Sequence, residues 1–456
     1  MTTAATLDAT RTPAPPVPAR LEDTGLGADQ IEQLLVKMLY GGEATGLALA
    51  ERVRLPFAIL EPIIERMRFE HLVEVRGTTG TSAASYRYAT TDLGRSRAVQ
   101  YLEINQYIGP APVPLASYVK QMRALAASRG FIDRERLRGG FGHLIVNDDI
   151  LEQLGPAANA NKAIFLYGPP GNGKTVLAEG LGRTVGGEMY MPYAIDVEGH
   201  IVTMFDPISH EPLEDLEVSP TSSIISAEPR DRRWVRIRRP VVMVGGELTI
   251  EMLDLTFNPL ARFYEAPLQL KANGGIFLVD DFGRQRMRPE DLLNRWIVPL
   301  ESRIDYLTLH TGKKFQVPFD VLTVFATNLD PAKLADEAFL RRIPYKIHVG
   351  DPSIEQFTSI LEMNCRRRDM TFHPVMAEYL HRRHYQPTDR PMRACHPRDL
   401  LDQVTALCRY RGEEPTLNRE NLDAACAAYF LDDDKAHSLP SQSSPRKTNH
   451  PIIEVR

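Results

Sequence analysis

Residues Gly168-Pro169-Pro170-Gly171-Asn172-Gly173-Lys174-Thr175 carry the most specific chemistry in the chain. An apolar β-forming run, A-I-F-L-Y, precedes them, and V-L-A-E-G-L-G-R-T, a helix by composition, follows. A glycine-rich loop between a strand and a helix curls so that its backbone N–H groups point inward. Those donors and the positive end of the helix hold phosphate oxygens. The spacing predicts a nucleotide cradle running from Gly168 to Val176. Lys174 would reach the β- and γ-phosphates of ATP, and the Thr175 hydroxyl would sit on Mg²⁺.

A cradle only binds. Splitting the nucleotide needs a further acid on the metal and another group to handle the attacking water. G-G-I-F-L-V-D-D at 274–281 supplies both acids at the end of a buried strand, where α/β sheets place their ligands. Asp280 is expected to hold the metal and Asp281 to act as base or orienter of the water. A second buried strand, F-D-V-L-T-V-F-A-T-N, ends at Asn328, which is expected beside the γ-phosphate. Arg341 and Arg342 lie at a helix end, either as a solvated pair complementing the dipole or as a cation offered in trans to a transferring phosphoryl group. Arg398 opens a later helix, where a cation is unfavourable unless it answers another charge.

The elements that must position these groups give an α/β chain in several parts. Residues 1–20, rich in Thr, Ala and Pro, predict a disordered tail. Residues 21–104 predict a small separate domain of three helices, a strand–loop–strand and a closing helix, an order that resembles a winged-helix domain. Its third helix carries Glu61, Glu65 and Glu70 against Arg66 and Arg68, a poor surface for phosphates, so a protein-docking or structural role is expected ahead of DNA binding. Residues 105–139 predict a Pro-rich, extended linker at 105–118 followed by helices. Residues 140–350 hold the nucleotide chemistry. Here 188–195 is expected to be the second core strand and 276–280 the next, with β-hairpin material inserted at about 196–262. Residues 351–430 predict four helices, and 431–456 a second disordered tail.

These motifs in this order resemble the AAA+ ATPase superfamily over about residues 140–430. The resemblance identifies 168–175 as Walker A, 276–281 as Walker B, Asn328 as sensor 1, Arg341 or Arg342 as the arginine finger, and Arg398 as sensor 2. It implies a five-stranded parallel sheet, a helical lid over 351–430, and a ring, usually of six subunits, with ATP between neighbours. G-G before Walker B, L-N-R-W-I-V-P-L-E-S-R-I-D after it, and Y-L-T-L-H-T-G-K-K-F-Q-V-P-F before sensor 1 are similar to the MoxR and magnesium-chelatase-like branch, which decorates the sheet with hairpins. One position departs from the family: Asp281 stands where glutamate is usual. The shorter side chain predicts slow hydrolysis, or action through a second water, with binding intact.

Composition bounds the rest. The formal net charge is −5, which disfavours bulk nucleic-acid affinity. No apolar run approaches the ~18 residues that span a bilayer, and no signal-peptide pattern opens the chain. The four cysteines, Cys365, Cys395, Cys408 and Cys426, form no C-x-x-C pair and predict packed, reduced thiols in a cytoplasmic protein. His373, His381, His384 and His396 lack convincing zinc spacing and are expected to be solvated. The run 230–239 holds six arginines and Trp234. It is expected to pair with acidic 211–217, with nucleic acid or an acidic peptide as the alternative partner. The expected function is ATP-driven remodelling or chaperone-like assembly of a protein client. The alternatives are a DNA-acting motor or transcription regulator, an ATP-gated scaffold that hydrolyses little, and a P-loop kinase outside AAA+.

Overall fold

The computed structural model describes residues 12–213, 229–334 and 336–430. The expected tails at 1–11 and 431–456, and residues 214–217 of the acidic stretch, lie outside them. The chain divides into two compact units, Met1–Gly350 and Asp351–Arg456.

The first unit opens differently from the expected tail. Thr12 donates to the Glu188 carbonyl (3.1 Å), and the Pro13 and Pro15 carbonyls accept from Gln121 Nε2 (2.8 Å) and Asp231 N–H (2.9 Å). Prolines that cannot donate still leave acceptors that later elements use. The turn α1 (Leu21–Thr24) leads to α2 (Ala28–Tyr40), β1 (Ala44–Thr45), α3 (Gly46–Val53) and α4 (Phe57–Phe69). The antiparallel pair β2 (Val73–Thr78) and β3 (Tyr86–Thr90) and the helix α5 (Asp92–Ile104) complete the region. Thr45 and Thr91 cap α3 and α5 by accepting from Ala48 and Gly94 N–H groups, which satisfies donors the first helical turn leaves free. The region does not stand alone. Its core of Ile31, Leu35, Leu60 and Met67 continues into Ala194 and Ile201 of the following region. The expected linker is also tied down, since Ala111 N–H donates to the Val53 carbonyl (2.8 Å) and Gln106 N–H to that of Ala261 (2.8 Å).

Next come β4 (Val113–Pro114), α6 (Leu115–Ala127), α7 (Arg134–Phe141) and α8 (Asp148–Ala160), followed by β5 (Ile164–Tyr167) and α9 (Lys174–Val185). Then follow β6 (Glu188–Pro192), β7 (Ala194–Val197), β8 (His200–Thr203), β9 (Trp234–Arg238), β10 (Val241–Val244), β11 (Thr256–Asn258), β12 (Phe263–Glu265) and α10 (Leu268–Lys271). The unit ends with β13 (Ile276–Val279), α11 (Pro289–Arg295), α12 (Ile297–Ser302), the hairpin β14 (Ile304–Thr308) and β15 (Lys314–Pro318), β16 (Leu322–Thr327), α13 (Glu337–Leu340) and β17 (Tyr345–His348).

The central sheet has five strands in the order β10-β13-β16-β5-β17, every neighbouring pair parallel. β13 and β16 are buried along their whole length, which is why both read as unbroken apolar runs. Residues 188–195 do not join this sheet, contrary to expectation. β6 pairs antiparallel with β9, and Ala194 and Ile195 begin β7 of a second five-stranded sheet, β11-β12-β8-β7-β4. The strand expected within the insertion, Val241–Val244, is instead an edge strand of the central sheet. Pro240 is the cause: it lacks an N–H, so the β9 ladder ends there, while its carbonyl accepts from Ile276 N–H (2.9 Å) and starts the parallel register with β13.

The second unit is helical: α14 (Ile354–Arg366), α15 (Pro374–Leu380), α16 (His396–Arg411) and α17 (Arg419–Tyr429). Its core holds Phe357, Leu361, Leu380, Leu400, Leu401 and Leu422. Cys365, Cys408 and Cys426 are buried thiols, and Cys395 is half-buried. Ser353 and Gln356 form a capping box that starts α14.

Candidate functional site

β16 lies between β13 and β5 in the sheet, so its end faces the ends of both. That order assembles the predicted residues. The loop after β5 turns on Gly168, Gly171 and Gly173, all at positive φ. At Gly168 a Cβ would lie 2.4 Å from the Val349 carbonyl oxygen, so no other residue fits there. Lys174 opens α9 and is 7% exposed. Its ammonium donates to the Gly168 and Pro169 carbonyls (3.0 and 2.9 Å) and to Asn328 Oδ1 (2.6 Å). Asn328 Nδ2 in turn donates to Asp281 Oδ1 (2.9 Å). Thr175 Oγ1 donates to Asp280 Oδ2 (2.7 Å). Asn172 is buried within the loop, while Pro170, Gly171 and Val176 face outward.

The acid pair is held by its own turn. Asp280 is half-buried, and its Oδ1 accepts from Asp281 N–H (3.0 Å). Asp281 takes a left-handed backbone (φ 48°), a conformation aspartate tolerates better than most side chains. Phe282 N–H donates to the Ala326 carbonyl (2.7 Å), and its ring packs at 5.0 Å from Phe325 and 5.8 Å from Phe165. Gln285 completes the clamp. Its Nε2 donates to the Asp280 and Asp281 carbonyls (2.9 and 3.2 Å), and its Oε1 accepts from Gly283 N–H (2.8 Å). No spacing rule points to Gln285; only the geometry of the turn reveals it.

A glycine-rich loop, a lysine, and adjacent hydroxyl and carboxylate oxygens suit a magnesium nucleotide. Thr175 and Asp280 are hard oxygen ligands already in contact, the donor set Mg²⁺ takes. The structure separates the two arginines. Arg341 is exposed at the end of α13, whereas the Arg342 guanidinium is held by Glu301 (2.6 Å). Arg398 sits in the first turn of α16 in the second unit. The charge that answers it is its neighbour Asp399 (Nε to Oδ1 2.8 Å), whose hydrogen bond holds the guanidinium pKa above its usual value. His396 departs from the expected solvated histidines. It is 9% exposed and its Nδ1 lies 2.9 Å from the Tyr385 hydroxyl.

The arginine run is spent on its own surroundings. Arg236 pairs with Glu188 (2.6 Å), Arg238 with Glu211 (2.8 Å), and buried Arg233 with buried Asp231 (2.8 Å). Trp234 is buried, so it offers no stacking face. In the N-terminal region Arg66 pairs with Glu32 (2.6 Å) and Asp29 (3.0 Å), and Arg68 with Glu65 (2.8 Å). Arg76 pairs with Glu74 (2.8 Å) and Arg87 with Glu43 (3.2 Å). Among the described residues, no group of His, Cys, Asp and Glu forms a metal cluster of three or more, and no helix is long and apolar enough to cross a membrane.

Residues 353–428 match a family described as "Domain of unknown function (DUF8689)". No curated protein matches the chain. Among solved structures, NtrX from Brucella abortus is similar at 14% identity and a TM-score of 0.38, over 67% of this chain and 61% of that one. The Thermotoga maritima RuvB Holliday junction branch migration motor is similar at 13% identity and a TM-score of 0.35, over 67% of this chain and 72% of that one. The chain thus spans less than two thirds of NtrX. Scores of this size describe a loose likeness, and the site stands on its own side chains.

Proposed function

We propose that the chain is an ATP-binding and ATP-hydrolysing AAA+ protein that couples turnover to remodelling or assembly of a protein client. One observation carries the reading. Lys174, Asn328 and Asp281 form a continuous hydrogen-bonded chain beside the Thr175–Asp280 pair, at the carboxyl edge of a five-stranded parallel sheet. The loop N–H groups and Lys174 would bind the phosphates, with the ammonium exchanging its carbonyl partners for phosphate oxygens. Thr175 and Asp280 would hold Mg²⁺, which supplies charge neutralisation on the phosphate oxygens. Asp281 would accept the proton of the attacking water, and Asn328 would orient Asp281. Arg341, the exposed member of its pair, is the one we assign as a finger to a neighbouring subunit in a ring, probed by its own substitution. Arg398 would act as the nucleotide sensor on the helical lid, and a hexameric ring is the assembly this reading expects.

Arg66, Arg68, Arg76 and Arg87 of the N-terminal winged-helix-like region each face a carboxylate, which supports protein docking over DNA binding. A second reading, the ATP-gated scaffold, draws on Asp281: its short carboxylate is engaged by Asn328. Phosphate release separates the two. Turnover that Lys174→Ala abolishes supports the ATPase; turnover no greater than in that variant, with ATP still bound by the unsubstituted chain, supports the scaffold. Failure to bind ATP at all sinks both.

A further inference from the structure

At the amino-terminal edge of the same sheet, half-buried positive charge exceeds negative. Arg129, after α6, donates from Nη2 to both oxygens of Asp320 (3.0 and 2.9 Å). Arg303 Nη2 stands 3.6 Å from the same carboxylate, which also accepts from Asn161 (2.9 Å). Arg239 donates from Nη1 to the Gly274 carbonyl (2.8 Å), and Arg136 donates to the Thr184 and Val185 carbonyls at the end of α9 (3.2 and 2.9 Å). Two guanidiniums therefore face one carboxylate, and two more, Arg136 and Arg239, are met by backbone carbonyls. The carbonyls orient the arginines without neutralising them. Asp133, the exposed cap of α7, spends an oxygen on Arg136 N–H and does not line the space between them.

Three nitrogens in this cluster are buried without a hydrogen-bond partner: Arg129 Nε, Arg239 Nε and Arg303 Nη2. A buried donor left unmade costs about 1–3 kcal/mol, more when charged. Burial, and then the neighbouring Arg129, push the Arg239 guanidinium down to about 10. A partly open cavity, with about 20 Å³ of room for the centre of a water-sized sphere, lies among Arg129, Arg136 and Arg239, walled by Asn159, Gly186 and Gly187. Asn159 is committed to the Ile132 backbone on both sides of its amide (2.8 and 2.9 Å), which leaves the guanidiniums as the charged lining.

We propose that this cavity binds a small monovalent anion of chloride size, held by Arg129, Arg136 and Arg239. The volume exceeds the roughly 10–15 Å³ that one ordered water needs. An anion there supplies the missing negative charge and ties α7 and the end of α9 to the sheet. The site is separate from the phosphate loop, because α9 puts about 18 Å between its two ends at 1.5 Å per residue.

The test is thermal unfolding of the full chain at constant ionic strength, with sodium chloride replaced by sodium gluconate, an anion too large to enter. The midpoint is expected to be about 2–4 °C higher in chloride. In Arg239→Gln that difference should vanish. Equal midpoints in the two salts, or a difference that survives in Arg239→Gln, overturns the proposal. Should Arg239→Gln fail to fold, Arg136→Gln replaces it. Crystals soaked in bromide give an independent readout: an anomalous peak within reach of Arg239 Nε and Arg129 Nε is expected, and its absence refutes the site.

Discussion

Asp281→Asn is the sharpest perturbation of the proposed chemistry. The amide is isosteric with the carboxylate and keeps an oxygen for Asn328 Nδ2, now 2.9 Å from Oδ1, so the turn should not move. What is lost is the proton acceptor. General-base catalysis contributes about 10²–10⁴-fold, or roughly 2.7–5.4 kcal/mol of barrier at about 1.36 kcal/mol per tenfold. Turnover is expected to fall by that factor while the ATP dissociation constant stays within about threefold. Asn328→Ala removes hydrogen bonds to two charged groups, Lys174 and Asp281; the one that orients Asp281, worth about 1.5–3 kcal/mol, should slow turnover by about ten- to 150-fold. The two residues touch, so their effects should not add. The double variant is expected to be no slower than Asp281→Asn alone, a coupling of about 1.5–3 kcal/mol. Steady-state phosphate release, with ATP binding measured in parallel, reads all four corners of the cycle. If Asp281→Asn keeps turnover within about threefold of the unsubstituted chain, Asp281 is a turn residue and the base lies elsewhere. If the double variant loses the product of the two single losses, Asn328 does not act through Asp281.

Three further outcomes follow from particular contacts. Phe282→Ala should destabilise the first unit by about 3–5 kcal/mol in urea unfolding, because the ring is 1% exposed among Phe165 and Phe325. Stability within about 1 kcal/mol of the unsubstituted chain would contradict that packing. Gly168→Ala should abolish ATP binding, since its Cβ would meet the Val349 oxygen at 2.4 Å; retained binding would show that the loop shifts freely. His396 should titrate near pH 4 rather than 6.5, as burial and then Arg393 disfavour its charged form. Its folded pKa lies below the unfolded one, so the unfolded chain binds the proton first and stability falls as pH drops from 6.5 through 4, by about 3 kcal/mol once complete. A His396 resonance titrating above pH 6 in labelled protein would refute this.

What was legible in the sequence was what short-range rules determine. The loop 168–175 requires glycine, lysine and threonine at fixed offsets, and buried parallel strands read as apolar runs, so the loop, β13 and β16 were found from residue types alone. Pairings over distance were not legible. Val241–Val244 alternates into the residues before it, and only Pro240 marks where the antiparallel ladder with β6 gives way to the parallel one with β13. The N-terminal helices could be drawn from their spacing, yet nothing local says that Ala194 and Ile201 close their core. The arginines of 230–239 are expected to pair with acidic 211–217, as Arg238 does with Glu211, but Arg236 pairs with Glu188, 48 positions away, and no short window contains both.

The same distinction explains why the site could be anticipated in composition but not in wiring. Lys174 and Asn328 are 154 positions apart, and Asn328 and Asp281 are 47 apart. No spacing rule joins them. Strand order does: with β16 between β5 and β13, a residue just past the end of β16 reaches the loop on one side and the acid pair on the other. Asn328 donates with its nitrogen and accepts with its oxygen, so one amide links Lys174 to Asp281, the residues proposed to bind phosphate and to handle the water. A carboxylate at this position would accept from Lys174 but could not donate to Asp281 without being protonated, and it would repel it. An alanine would break the link on both sides. The requirement is therefore for a side chain that is at once donor and acceptor, of asparagine's length. Asn328→Asp, which keeps size and reverses that balance, should cost more turnover than Asn328→Ala if the link matters; the opposite order in a phosphate-release assay would mean that Lys174 and Asp281 work without it.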